Sequence, residues 1–338
     1  MPVGIVLTTY GEPEQASFAE QWMYSYRILR RLTRKIAPIP KPVLPIIATS
    51  RARGRVRLWR EHQFSSPLEA LHEATVDAVR AELARRGHTD KLVITKAYEF
   101  RRPDLTDALR ELDDRGCDRA IVVPMYIAGG DFTDGMTRIA VQDALANLPG
   151  WNHGRLDYCA LSGTPEEAEH LAQTLAGHCL EVIRQRGVPP EARDWAILLA
   201  AHGTVVTPPP GVDNGLLPFG RVLIRIKSII KPHFGLVRLG WLNHTRGGKW
   251  TTPAVADALQ FIRDRGYRKL VYFPWGFTTD NAETALEGKI ALRDFKDAFE
   301  RVEYLPCVNS GAAFISLLAD RVCRRLEAAQ TLEPAATR

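Results

Sequence analysis

The sequence predicts an α/β protein made of two similar lobes, each a parallel four-stranded sheet with helices on its faces, opposed across a central cleft. Three observations point there. Eight apolar runs of strand length form two sets of four: 3–10, 91–100, 119–128 and 155–162, then 194–203, 236–243, 269–278 and 301–309. Apolar residues three and four apart between them, at 68–86, 104–113, 165–186 and 253–265, read as amphipathic helices. Strand–helix alternation implies parallel sheets. The two sets also share detail. Each fourth run begins Arg-x-Asp/Glu-Tyr, and each third run has a mid-strand proline followed by an aromatic, Pro124-Met125-Tyr126 and Pro274-Trp275.

The first lobe spans 1–164, with a basic and apolar lid at 27–66, and the second spans 165–308. A helix at 309–327 follows the last strand and is expected to pack back on the first lobe, and the tail 328–338 is expected to be disordered.

Hydrophobic (45%) and charged (25%) contents are those of a globular chain. No run approaches the roughly 18 apolar residues of a membrane span. The N-terminus enters a strand directly, without the features of a signal peptide, so a cytoplasmic location is expected. The five cysteines form no CxxC pair, which argues against a zinc or iron–sulfur site.

The charge of +6 is uneven: residues 21–60 hold eleven Lys/Arg and no Asp or Glu, leaving −5 for the rest. Ile36, Ile39, Val43, Leu44, Ile46 and Ile47 interleave there with Pro38, Pro40, Pro42 and Pro45. A solvated basic loop is one reading. A lid for a flat apolar ligand with carboxylate edges, or for the surface of an anionic membrane, is another. No nucleic-acid motif accompanies the charge.

Ligands of open α/β sheets bind outside the carboxyl ends of the strands. His202 ends the fifth run before Gly203, and Glu283 follows the seventh. An imidazole with a pKa of roughly 6.5 can take up and return a proton at neutral pH. Facing a carboxylate, it suits metal insertion into a protonated macrocycle. Glu287 lies one turn beyond Glu283, Asp280 is a candidate N-cap, and Tyr10 is the counterpart of His202 in the first lobe. No strand is followed by GxGxxG or a P-loop, which disfavours nucleotide cofactors, and no GxSxG elbow is present.

Over roughly 3–325 these motifs, in order, resemble the ferrochelatases, enzymes that insert Fe²⁺ into a porphyrin. Leu-Leu-Ala-Ala-His-Gly at 198–203 is similar to the family strand ending in Ser-Ala-His, and 275–284 to Gly-Phe-x-x-Asp-His-x-Glu-Thr. Pro124-Met125-Tyr126, Gly240-Trp241, 249–253 and Ser66-Pro67-Leu68 match further family segments. Tyr10-Gly11-Glu12-Pro13 resembles the Tyr-Gly-Thr-Pro of the branch that metallates coproporphyrin III rather than protoporphyrin IX. The resemblance implies a chelatase-like pair of Rossmann-like lobes. It makes His202 and Glu283 catalytic, and His202, Glu283 and Glu287 contacts for the metal. Tyr10, Arg27, Arg30, Arg31, Ser66, Tyr126, Trp250 and Asn281 would hold the porphyrin, the arginines through its propionates. Fe²⁺ would be a substrate, with no tightly bound cofactor and no iron–sulfur cluster. Peripheral contact with the inner membrane through the lid is a further expectation; nucleic acid is not expected as a partner.

Asn281 replaces the family histidine, Ala291 an acidic residue, and Thr204-Val205 the usual Leu/Ser-Pro. Two other readings stay open: a chelatase for another metal or tetrapyrrole, and a non-catalytic porphyrin or haem carrier derived from a chelatase.

Overall fold

The computed structural model describes residues 1–37, 39–88, 91–242 and 249–332. Pro38, Asn243, Gly247, Gly248 and residues 333–338 of the expected tail lie outside them.

Two parallel sheets of the same topology form the frame. The first contains β1 (Val3–Thr9), β2 (Leu92–Tyr98), β3 (Arg119–Pro124) and β4 (Leu156–Tyr158) in the order β2-β1-β3-β4. The second contains β5 (Ala192–His202), β6 (Phe234–Leu242), β7 (Lys269–Phe273) and β8 (Arg301–Tyr304) in the order β6-β5-β7-β8. All pairings are parallel. The helices are α1 (Phe18–Lys35), α2 (Leu44–Glu61), α3 (Leu68–Arg85), α4 (Leu105–Asp114), α5 (Asp134–Asn147), α6 (Pro165–Gln185), α7 (Leu216–Ile230), α8 (Val255–Asp264), α9 (Gly288–Arg293) and α10 (Ala312–Leu332).

Continuous apolar strands form because both faces of each sheet are covered. Ile5 and Leu7 face one way and join Ile197, Leu199 and residues of α3, α6, α7 and α10 in a core that runs through both lobes. Val6, pointing oppositely, packs with α4 and α5, and Leu198 packs with α8. Thr164 and Glu167 cap α6 reciprocally, an arrangement worth about 1 kcal/mol. On α10, Asp320 pairs with Arg86 at 2.6 Å, and Arg321 donates to the Glu167 carbonyl at 2.8 Å.

Four sequence expectations need correction. The prolines end strands rather than interrupt them: Pro124 is the last residue of β3 and Pro274 follows β7. Lacking an N–H, proline cannot continue the ladder, so 125–128 and 274–278 are loops at the carboxyl ends. The segment 27–66 is mainly a helical hairpin, α1 against α2. Pro45 sits in the first turn of α2, where its missing N–H has no partner to lose. Helices α1, α5 and α7 stand where no helix was expected. Finally, α10 continues to Leu332, through the start of the expected disordered tail.

Candidate active site

The carboxyl ends of both sheets open onto one cleft. His202 is the last residue of β5, and the Gly203 N–H bonds the Leu242 carbonyl at 2.8 Å. The loop after β7 crosses beside it because residue 276 is glycine: a Cβ there would lie 2.7 Å from that of Ala201. Phe277 presents its edge to the His202 ring at 6.4 Å. The chain then enters a π-helical turn, Glu283–Glu287, which leads into α9. This brings Glu283 Oε2 to 2.8 Å from His202 Nδ1. The imidazole is exposed (46%) and the carboxylate half-buried (22%), so the pair faces the cleft.

The π turn has a local cause. Gly288 N–H bonds the Glu283 carbonyl five residues back, and the Thr284 carbonyl takes the Tyr304 hydroxyl instead. Glycine at 288 admits that hydroxyl, which a Cβ would meet at 2.3 Å. π turns recur at functional sites. Glu287, half-buried, follows one turn on and acts electrostatically on Arg55.

Tyr10 leaves β1 on the opposite side, its carbonyl held by the Phe100 N–H at 2.9 Å. Burial, reinforced by Glu12, Tyr24 and Glu283, raises its pKa well above the usual phenol range, so it stays neutral. The lobes meet beside it, where Glu12, two residues on, accepts the Ala282 N–H at 2.8 Å. Tyr10 packs on an apolar wall of Tyr24, Phe100 and Met136 below α1.

The remaining predicted residues separate into groups. Arg31 turns inward, its guanidinium 5.4 Å from the centre of the Phe100 ring, while Arg27 is half-buried and Arg30 exposed. Tyr126 donates to Glu99 at 2.7 Å, and Thr137 donates to the same carboxyl. Burial pushes Glu99 up to about 7 against these donors and Arg31. Trp250 bridges to Val205 just beyond His202. Two assignments change. Ser66 is buried and donates to Glu12. Asn281 is fully buried; its Oδ1 accepts the N–H of Glu283 at 2.8 Å and of Thr284 at 3.3 Å, and its Nδ2 donates to the Thr279 carbonyl. Both side chains serve the protein's own groups rather than a ring. Asn281, not Asp280, is the cap; Asp280 holds Asn309 and the Cys307 N–H.

Glu12, Arg55 and Glu99 escaped the sequence reading. The signal for Glu99 was a carboxylate just past β2; for Glu12 it was the one departure of 10–13 from Tyr-Gly-Thr-Pro. Nothing in the sequence singled out Arg55 among eleven basic residues.

Among the described residues, no three His, Cys, Asp or Glu side chains gather to hold a metal ion, and no helix is long and apolar enough to cross a membrane.

The profile of the ferrochelatase family matches residues 2–326. The chain belongs to the ferrochelatase family. Relatives named ferrochelatase include that of Synechococcus elongatus, 24% identical over 96% of this chain and 83% of its own. That of Methylocella silvestris is 22% identical over 96% and 94%. Among solved structures, SirB from Bacillus subtilis with Fe³⁺ superposes with a TM-score of 0.54 at 12% identity, over 96% of this chain and 95% of its own. The sirohydrochlorin chelatase SirB of B. subtilis subspecies spizizenii with cobalt gives 0.53 at 10%, over 97% and 96%. This ferrochelatase-family chain therefore has the chelatase fold, with equivalent lobes facing one cleft.

Proposed function

We propose that the protein inserts Fe²⁺ into a porphyrin, with coproporphyrin III favoured over protoporphyrin IX. The observation that carries this reading is the 2.8 Å contact between His202 Nδ1 and Glu283 Oε2 at the mouth of the cleft. With Nδ1–H donated to the carboxylate, the acceptor of the neutral imidazole is Nε2. Iron entry expels two pyrrole N–H protons. His202 takes them in turn, and Glu283 stabilises the imidazolium and steers the cation. Tyr10, neutral, lies across the ring. Arg31 holds a propionate: its Nη1 is buried without a hydrogen-bond partner, as befits a donor awaiting a ligand.

The test is anaerobic steady-state insertion of Fe²⁺ with a tetracarboxylate and a dicarboxylate porphyrin. His202→Ala and Glu283→Gln should lower kcat by about 100-fold or more, the scale of acid–base catalysis, while porphyrin still quenches tryptophan fluorescence. Arg31→Gln should raise KM, more for the tetracarboxylate, and Arg30→Gln should not. Wild-type turnover by either His202→Ala or Glu283→Gln removes the assignment. Binding by wild type without insertion of any metal would make the protein a carrier.

The same reading places it in the cytoplasm with its lid against the inner membrane. Phe18, Met23, Val43 and Ile46 are exposed in and around the lid beside its arginines. Sedimentation with anionic rather than neutral vesicles tests that contact.

A further inference from the structure

One buried carboxylate joins three parts of the molecule. Glu12 follows Gly11, whose φ of +68° and close approach to Tyr98 exclude a Cβ. The Glu12 carbonyl is held by Arg101 at 3.0 Å. Its side chain, only 2% exposed, leaves the first lobe and crosses to the second. There Oε1 accepts the Ala282 N–H at 2.8 Å, one residue before Glu283. The same oxygen accepts the Ser66 hydroxyl, at the end of the lid segment. Oε2 accepts Arg55 Nη2 at 3.3 Å. Arg55 belongs to α2, donates from Nε to Gln21 of α1 at 2.7 Å, and lies over the rings of Tyr24 and Trp59, each 5.1 Å away. Both lid helices thus grip one guanidinium, and that guanidinium grips the carboxylate that holds the backbone beside Glu283.

We propose that Glu12 is a positioning residue that couples the lid helices to the turn carrying Glu283. Displacing α2 withdraws Arg55, leaves the buried Glu12 charge uncompensated, and loosens the Ala282 contact. A seated lid restores all three. A buried pair deprived of one partner is strongly perturbed, so the coupling runs in both directions. This inference rests on the reading of Glu283 as the metal-side carboxylate, but the coupling can be measured without turnover.

The experiment is amide hydrogen exchange over 279–287 in the full chain, for wild type, Arg55→Gln, Glu12→Ala and the double variant. Arg55→Gln, in the other lobe, should raise exchange there severalfold. In the Glu12→Ala background it should add nothing. Wild-type exchange in Arg55→Gln, or equal increments with and without Glu12, overturns the coupling. If Glu12→Ala fails to fold, Glu12→Gln takes its place. Insertion kinetics give the second readout. Glu12→Gln should lower kcat about tenfold while porphyrin affinity holds, because it shifts Glu283 rather than the ring. A variant that melts earlier yet keeps wild-type kcat makes Glu12 a structural residue only. Wild type inactive with every porphyrin would sink the metal-insertion reading and leave the exchange result to decide the coupling.

Discussion

Asn281 shows how much a single side chain can change when seen in place. By motif it stands where a proton-carrying histidine is expected, so Asn281→His would be the natural restoration. In the structure the residue is fully buried and its Oδ1 caps the turn at Glu283 and Thr284. Histidine at this site would lose that cap, at about 1 kcal/mol, and force a larger ring into a closed space, at about 1–3 kcal/mol. Asn281→His should therefore melt earlier and turn over more slowly; Asn281→Asp keeps the Oδ1 acceptor but loses the donor to the Thr279 carbonyl and buries a charge, so it should melt earlier too. Thermal unfolding with parallel insertion assays checks both. A gain in kcat by Asn281→His at unchanged Tm would return the position to catalysis.

At the scale of elements, legibility followed periodicity. All eight strands and helices α3, α4, α6, α8 and α10 announced themselves, because buried strands read as apolar runs and half-buried helices as stripes. Helices α1 and α2 did not, because the buried face of α1 includes Gln21 and Ser25 and that of α2 the small Ala48 and Ala52, although they fold over the Tyr10 side of the cleft. His202 and Glu283 were legible from their places after strands, and their contact was not, since it depends on the π turn. That turn rests on Gly288, five residues past Glu283, and on Tyr304, twenty-one residues past it in sequence but adjacent in space. Gly288→Ala would set a Cβ 2.3 Å from the Tyr304 hydroxyl and should destabilise by about 1–3 kcal/mol. Tyr304→Phe removes the donor to the Thr284 carbonyl, for about 1–2 kcal/mol. Because the lost hydroxyl makes room for the methyl, the double variant should be more stable than the sum of the two. Additive losses in urea unfolding would separate the glycine from the tyrosine.

Among the buried titratable groups, two have effects on stability that oppose each other. His72 is fully buried, and burial, with Lys96 nearby, lowers its pKa to about 4. The unfolded chain takes that proton near pH 6.5, so this group makes stability fall as pH drops from about 6.5 to about 4. Glu99 is raised by burial from 4.5 to about 7. The folded protein holds that proton longer than the unfolded chain, so here stability falls as pH rises from about 4.5 to about 7. Each shift corresponds to roughly 3 kcal/mol at 1.36 kcal/mol per unit. Between about pH 4.5 and 6.5 the two slopes cancel, and wild type should show a flat contribution there. Glu99→Gln should expose the histidine term, so that stability climbs with pH, and His72→Gln should expose the carboxyl term, so that it declines. Urea unfolding of the three proteins across this range decides it, since parallel profiles would mean that neither group keeps its shifted pKa. The outcome bears on the cleft as well: Arg31, the arginine proposed to take a propionate, is the cation that opposes protonation of Glu99, so the charge state that sets stability near neutral pH also sets how strongly Arg31 is held.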